Sequence, residues 1–407
     1  MRACGSKRRG DGVADAAGGT GDERAAPRQI EQVHDGHCSH GAALFVTVNT
    51  SPEAIQMLAA VCHGKKDLRI DRLADRALTP GEVRVAVAFG GICGSDLHYY
   101  HRGAVGDFAV REPLTLGHEI SGVVVETGPE VRGLAPGMKA ALDPSRACLR
   151  CRYCRAGRSN LCTDMWFLGS AGRFPHSQGG FAEHLVLRQD QIVPVPEDAD
   201  LLKIAVAEPL SVGLHAVTRA GPLFGKRVLV TGSGPIGLLT ARAARDAGAS
   251  ELICTDVEDA PLSIAMRSMG ATGTVNVRSA PEGLAAFEQD DDAFDVAFEA
   301  SGSPQALASL FKVVRRGGRI VQVGMLPPGA APVPVNVLQS RELEFVGAFR
   351  ANDEFRFAVE LIARGKVDVS PILSGTYPLA RAADALELAG DRSKVIKLHL
   401  AIGEHAA

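Results

Sequence analysis

Residues 90–100, Gly-Gly-Ile-Cys-Gly-Ser-Asp-Leu-His-Tyr-Tyr, place a thiol (Cys93), a hydroxyl (Ser95), a carboxylate (Asp96) and an imidazole (His98) in one short stretch. Such a set can build one side of a catalytic metal site. A thiolate binds zinc, a carboxylate orients a second ligand, and a hydroxyl and an imidazole pass a proton. Glycines at 90, 91 and 94 permit a tight turn and a close approach to a ligand. A Gly-rich turn around an inert cysteine is the plainer alternative, and the stretch alone leaves both open. A catalytic zinc needs three protein ligands and an open position. Further donors stand at Gly117-His118-Glu119 and Ala207-Glu208-Pro209, but spacing does not bring 93, 118 and 208 together.

A second cluster is self-contained. Cys148, Cys151, Cys154 and Cys162 form C-x2-C-x2-C-x7-C. Four thiolates so close make a closed tetrahedral zinc site, which is structural because no coordination position stays open. Arg146, Arg150, Arg152, Arg155 and Arg158 surround it, as they would in a nucleic-acid-binding zinc knuckle. The net charge of −3 argues for arginines on a solvated lobe and against nucleic acid or anionic membrane as a partner.

A third pattern is Val228-Leu-Val-Thr-Gly-Ser-Gly-Pro-Ile-Gly237, which sets Gly232, Gly234 and Gly237 at G-x-G-x-x-G. An apolar strand precedes it, a helical stretch follows, and Asp256 closes the next strand, the context that dinucleotide binding requires. Gly232 permits the turn, Gly234 clears room for a pyrophosphate, and Gly237 lets helix and strand approach. Pro235 and Ile236 complete the loop, and Ser301 and Val323 are expected to join the cofactor site. Asp256 can accept both ribose hydroxyls of NAD. Val257, Glu258 and Asp259 follow it with no arginine for a 2′-phosphate, so NAD is expected over NADP.

These groups need elements to carry them. The 407 residues are 46% hydrophobic and 22% charged, enough for two soluble domains with large cores. Strands are expected at Val83–Phe89, Glu119–Glu126 and Phe181–Leu187, in a loop-rich half. From about Ala205 strands and helices alternate: Val228–Thr231, helix Leu238–Ala247, then Leu252–Thr255, Phe294–Glu299 and Ile320–Val323. That alternation predicts a parallel sheet covered on both faces. A helix over Glu354–Ala363 and a strand near Val395–Ala401 end the chain. No run is long and apolar enough for a transmembrane helix. The nine cysteines, clustered without a secretory signal, read as metal binding in a reducing cytoplasm. Residues 1–56 differ from the rest, with no periodicity from Met1 to about Ala43, and are expected to be a disordered extension from an upstream start codon, with Met57 the true first residue.

Taken in order, C-G-S-D-L-H, G-H-E, the four-cysteine lobe, A-E-P-L and G-x-G-x-x-G resemble the zinc-dependent medium-chain dehydrogenases, in their polyol (sorbitol-type) branch. The likeness covers about residues 57–403. It implies an α/β fold in which a GroES-like β-barrel catalytic domain, 57–205 with 349–407, holds an inserted Rossmann domain, 206–348. It also implies one catalytic and one structural zinc, NAD, a small-molecule substrate, and a homo-oligomer of two or four subunits. Cys93, His118 and a carboxylate, Glu119, Glu208 or both, would hold the catalytic zinc. Asp96 would orient His118, Ser95 and His98 would relay the proton, and Tyr99 and Arg350 would meet the substrate. A sugar acid, rather than a neutral polyol, would need a cation, for which Arg173, His176, Arg350 and Arg102 are the candidates.

Overall fold

The computed structural model describes residues 56–289 and 293–406. The expected N-terminal extension therefore lies, except for Gln56, outside the described residues. Six parallel strands form one sheet, in the order Gly273–Asn276, Glu251–Asp256, Arg227–Thr231, Phe294–Glu299, Val314–Gln322, Glu344–Gly347. Numbered along the chain this is 3-2-1-4-5-6, the doubly wound order, whose crevice opens where the winding reverses between the first and fourth strands. The strands are continuously apolar because both faces are covered. Val228 and Val230 join the core under helices Ala207–Ala220, Pro235–Asp246 and Glu354–Ala363. Leu229, one residue out of phase, joins the opposite core with Leu307, Leu310 and Phe311. Each large side chain taken fully inside, such as Phe298 at 0% exposure, stabilises the sheet by about 1.5–3 kcal/mol.

The second large sheet has seven strands. Its path runs Ile192–Pro194, Lys139–Leu142, Glu119–Thr127, Glu82–Gly91, Lys397–Ala401, Leu373–Pro378, and His184–Arg188 also pairs with Glu82–Gly91. The end of the chain thus returns to lie antiparallel beside a strand from its first quarter, with His399 opposite Gly91. The strand expected from Phe181 begins at His184. Phe181 instead accepts from Ala60 N–H at 2.8 Å and donates to Leu116 C=O at 2.9 Å, so it belongs to a neighbouring ladder. The strand expected from Ile320 begins earlier, at Val314, which pairs with Phe294 ahead of the main ladder.

The Phe181 ring is wholly buried and rests on two glycines. A Cβ at Gly90 or Gly117 would come within 2.7 or 2.2 Å of the ring. Gly117 also has φ +93°, so both the ring and the turn it fixes require glycine there. That turn presents His118.

Candidate active site

Cys93 caps the helix Gly94–Arg102, and its N–H donates to Asp96 at 2.9 Å. The other Asp96 oxygen accepts the Gly117 N–H at 3.1 Å and stands 3.9 Å from His118 Nδ1. One fully buried carboxylate therefore ties the Cys93 turn to the His118 turn. Donor atoms of Cys93, His118 and Glu119 all lie within 4.8 Å of one another. Glu208, on the first turn of Ala207–Ala220, stands outside that trio but faces it: its charge is felt with His118, Glu119 and Cys93, and burial pushes its carboxyl up to about 8. Burial with the Glu119 charge pushes the Cys93 thiol up to about 11, with the nearby Ser95 hydroxyl acting in the opposite direction. Burial and Arg102 push the His98 imidazole below its usual range.

These residues fit a metal ion. Acidic groups converge on a dry spot, and His118 Nδ1 is buried without a hydrogen-bond partner. The four lobe sulfurs also lie within 4.8 Å of one another. Backbone N–H groups of Cys148 and Asp164 donate to Cys162 Sγ at 3.2 and 3.3 Å, and that of Cys151 to Cys148 Sγ at 3.4 Å, bonds that favour thiolates and hence a metal.

Glu119 has a partner that sequence reasoning missed. Lys397 Nζ donates to Glu119 Oε1 at 2.5 Å and to the Ile92 carbonyl at 2.9 Å, with both charged side chains at 1–2% exposure. The carboxylate leans across Gly91, where a Cβ would stand 2.1 Å from Oε2. The available signal was a single cation inside the apolar run Val395–Ala401.

A cavity of about 410 Å³ opens beside the cluster, lined by Asn160, Phe167, Ser170, Arg173, Phe349 and Arg350 among others. None of Cys93, His118, Glu119 and Glu208 lines it; the Phe167 ring in its wall lies 5.4 Å from that of His118. Arg350 has φ +56°. Its guanidinium lies 3.9 Å over Phe167 and 4.9 Å over Phe349, and it makes no ion pair among the described residues. Tyr99 is 2% exposed and its hydroxyl accepts the Ala171 N–H at 3.0 Å, which places it behind the cavity wall. Arg173 lines the cavity but stands 3.7 Å from Asp164. His176 is removed as a carboxylate contact, because Nε2 accepts the Arg111 N–H at 2.9 Å and Nδ1 meets the Arg173 carbonyl at 2.8 Å. Arg102 is exposed and outside the cavity.

Across the parallel sheet, Gly232 has φ +84° and no room for a side chain, since a Cβ would stand 2.6 Å from the Ser301 backbone. A Cβ at Gly237 would strike the Gly232 carbonyl at 1.7 Å, whereas Gly234 faces open space at the cap of Pro235–Asp246. Such a cradle fits a pyrophosphate over a helix N-terminus. Asp256 is held rigidly, accepting N–H groups of Ser233, Val257 and Glu258 at 2.6, 2.8 and 3.0 Å. Ser301 and Val323 meet at buried Glu299, whose carboxylate accepts the Ser301 N–H at 2.9 Å and whose carbonyl accepts the Val323 N–H at 2.9 Å. The fold also brings Arg278 to 2.9 Å from Glu258, an arginine near this edge that sequence order concealed.

Residues 79–197 match the alcohol dehydrogenase GroES-like domain, and residues 235–364 the zinc-binding dehydrogenase family. The L-idonate 5-dehydrogenase (NAD(P)(+)) of Escherichia coli K12 is 41% identical over 317 residues, covering 78% of this chain and 90% of that protein. This chain belongs to the zinc-binding dehydrogenases. The sorbitol dehydrogenase of Bacillus subtilis is 36% identical over 82% of the dehydrogenase described here and 93% of its own length. The crystal structure of the Escherichia coli L-idonate 5-dehydrogenase superposes with a TM-score of 0.81 at 38% identity, covering 85% of this dehydrogenase and 98% of that chain. The dehydrogenase is thus an oxidoreductase of the alcohol and polyol type, with a GroES-like half and a Rossmann half. Besides Lys397, the sequence reading of this dehydrogenase missed Glu299, whose acidic side chain stands out only as the end of an apolar strand.

Proposed function

We propose that this dehydrogenase interconverts L-idonate and 5-keto-D-gluconate with NAD and NADH. The observation that carries the substrate is Arg350, a guanidinium without an ion pair among the described residues, held over the rings of Phe167 and Phe349 at a cavity whose Phe167 wall lies 5.4 Å from the His118 ring. A sugar-acid carboxylate supplies the partner it lacks. Zinc held by Cys93, His118 and Glu119 or Glu208 would supply Lewis acidity toward the alcohol oxygen. Asp96 fixes the His118 ring through the Gly117 turn. Ser95 would accept the alcohol proton as it passes its own to His98, and nicotinamide, when bound, would supply the hydride acceptor. Gly232, Gly234 and Gly237 seat the dinucleotide, and Asp256 takes the ribose hydroxyls, which disfavours a 2′-phosphate.

A neutral polyol is the second reading, favoured by the likeness to the Bacillus subtilis sorbitol dehydrogenase at 36% identity. The relatives named above include both substrate types. The proposal extends to the domain limits 57–205 with 349–407 and 206–348, to a reducing cytoplasmic setting in keeping with seven free described cysteines, and to a homo-oligomer built on the sheet-edge strand Glu344–Gly347. Initial rates of NADH formation with L-idonate, D-gluconate, sorbitol and xylitol, repeated with NADP, test the assignment. L-idonate with NAD is expected to lead by at least about tenfold in kcat/KM. A lead by sorbitol or xylitol removes the sugar acid, and equal rates with NADP remove the role given to Asp256.

A further inference from the structure

Arg350 sits in a left-handed backbone conformation that a non-glycine residue keeps only where its surroundings hold it. The four-cysteine lobe does the holding. Asn160 Nδ2 donates at 3.0 Å to the Phe349 carbonyl, the peptide immediately before Arg350. Two residues beyond Arg350, Asn352 Oδ1 accepts from the Ser159 hydroxyl at 2.8 Å and the Asn160 N–H at 3.3 Å, and its Nδ2 donates to the Gly157 carbonyl at 2.8 Å. The lobe segment 157–160, between Cys154 and Cys162, thus grips the 349–352 loop on both sides of the arginine. Glu354 anchors the same loop inward, accepting the Asn352 N–H at 2.8 Å and pairing at 3.0 Å with His215 on the helix that carries Glu208.

We infer that the Asn352 clamp makes the four-cysteine lobe part of the substrate site, with Asn352, Ser159 and Asn160 as positioning residues that aim Arg350 at the substrate carboxylate. This rests on Arg350 being the carboxylate contact proposed above. The side-chain bonds of the clamp reach none of Cys93, His118, Glu119 and Glu208, while its backbone is tied to the lobe by Cys162 N–H to the Ser159 carbonyl at 2.9 Å and Gly157 N–H to the Cys154 carbonyl at 3.0 Å, so loss of the side-chain bonds changes recognition and not chemistry. Asn160 also lines the cavity, whereas Asn352 and Ser159 do not, so the latter two isolate positioning from contact.

The experiment measures kcat and KM for L-idonate and sorbitol in the holoenzyme and in Arg350→Ala, Asn352→Ala and Ser159→Ala, with zinc content as the check on folding. The readout is selectivity, kcat/KM for L-idonate over that for sorbitol. Arg350→Ala is expected to lower selectivity at least about tenfold, and Asn352→Ala at least about fivefold, through the KM for L-idonate. Ser159→Ala, which removes one hydroxyl bond, is expected to lower it at least about twofold and decides the matter if Asn352→Ala does not fold. Loss of selectivity in Arg350→Ala but not in either clamp variant overturns the clamp and leaves the carboxylate contact standing. Undiminished selectivity in Arg350→Ala overturns the carboxylate contact and the clamp with it. Equal losses for both substrates, through kcat, assign Asn352 a merely structural role and overturn the inference.

Discussion

Lys397 reaches Glu119 and the Ile92 carbonyl from a strand whose other residues are apolar except His399, and both charges are shut away from water. Removing one partner of such a pair strands the other, at about 3–5 kcal/mol, whereas replacing both is far less costly. Lys397→Met is therefore expected to lower unfolding stability by about 3–5 kcal/mol in urea titrations of the zinc-free protein, and Lys397→Met/Glu119→Gln to recover most of it. A single variant within about 1 kcal/mol of the parent rejects that pairing as a stabilising one. Glu354 gives a pH signature. Burial would raise its carboxyl, but His215 and the Asn352 N–H hold it down at about 2. A folded value below the unfolded one contributes stability above the unfolded range of about 4.3, lost as pH falls toward 2. The stability gap between the parent and Glu354→Gln is expected to shrink over that acid window in thermal melts, and a constant gap would contradict it. The four lobe cysteines were legible at this scale because their chemistry lies in residue type and spacing, whereas Cys93, His118 and Asp96 were joined into one site only by the family resemblance. Lys397 was not legible, since a lysine in a short strand announces a partner without saying which.

The strand Glu119–Thr127 and the turn before it show how an element sets a site. Gly117 is needed twice, for φ +93° and for the Phe181 ring, and the turn it makes delivers His118. Gly117→Ala is expected to release the catalytic zinc while the four-cysteine site, on a separate lobe, keeps its own, so that metal analysis finds about half the parent zinc. Full zinc content in that variant would show that the turn tolerates a side chain. The apolar runs at Val228–Thr231 and Phe294–Glu299 were readable because a sheet covered on both faces leaves its strands no polar side. The start of the His184 strand was not, because Phe181 and Ala182 fit a strand by composition and only tertiary pairing assigns them to another ladder. The Asn160–Asn352 clamp joins positions 192 residues apart, and no local pattern marks such a contact.

At the scale of the molecule, the parallel sheet is inserted into the path of the other. Strands from residues 82–194 and 373–401 share one sheet, and residues 227–347 build the second between them. The two halves are welded by a common core in which Val193 and Ile204 meet Leu210, Phe355 and Ile372. The alternation of strand and helix made the inserted sheet visible in sequence, whereas the return of Lys397–Ala401 beside Glu82–Gly91 is a choice of topology. That return sets a clock. Lys397 is 278 residues beyond Glu119, so on a ribosome adding about 5–20 residues per second the lysine is made about 15–55 s after the carboxylate it neutralises. Every sulfur and imidazole donor is outside the tunnel before the sheet behind them can close. A message broken before the codon for Lys397 yields a chain with a full set of zinc-binding side chains, an open sheet edge, and Glu119 still waiting for its counter-charge.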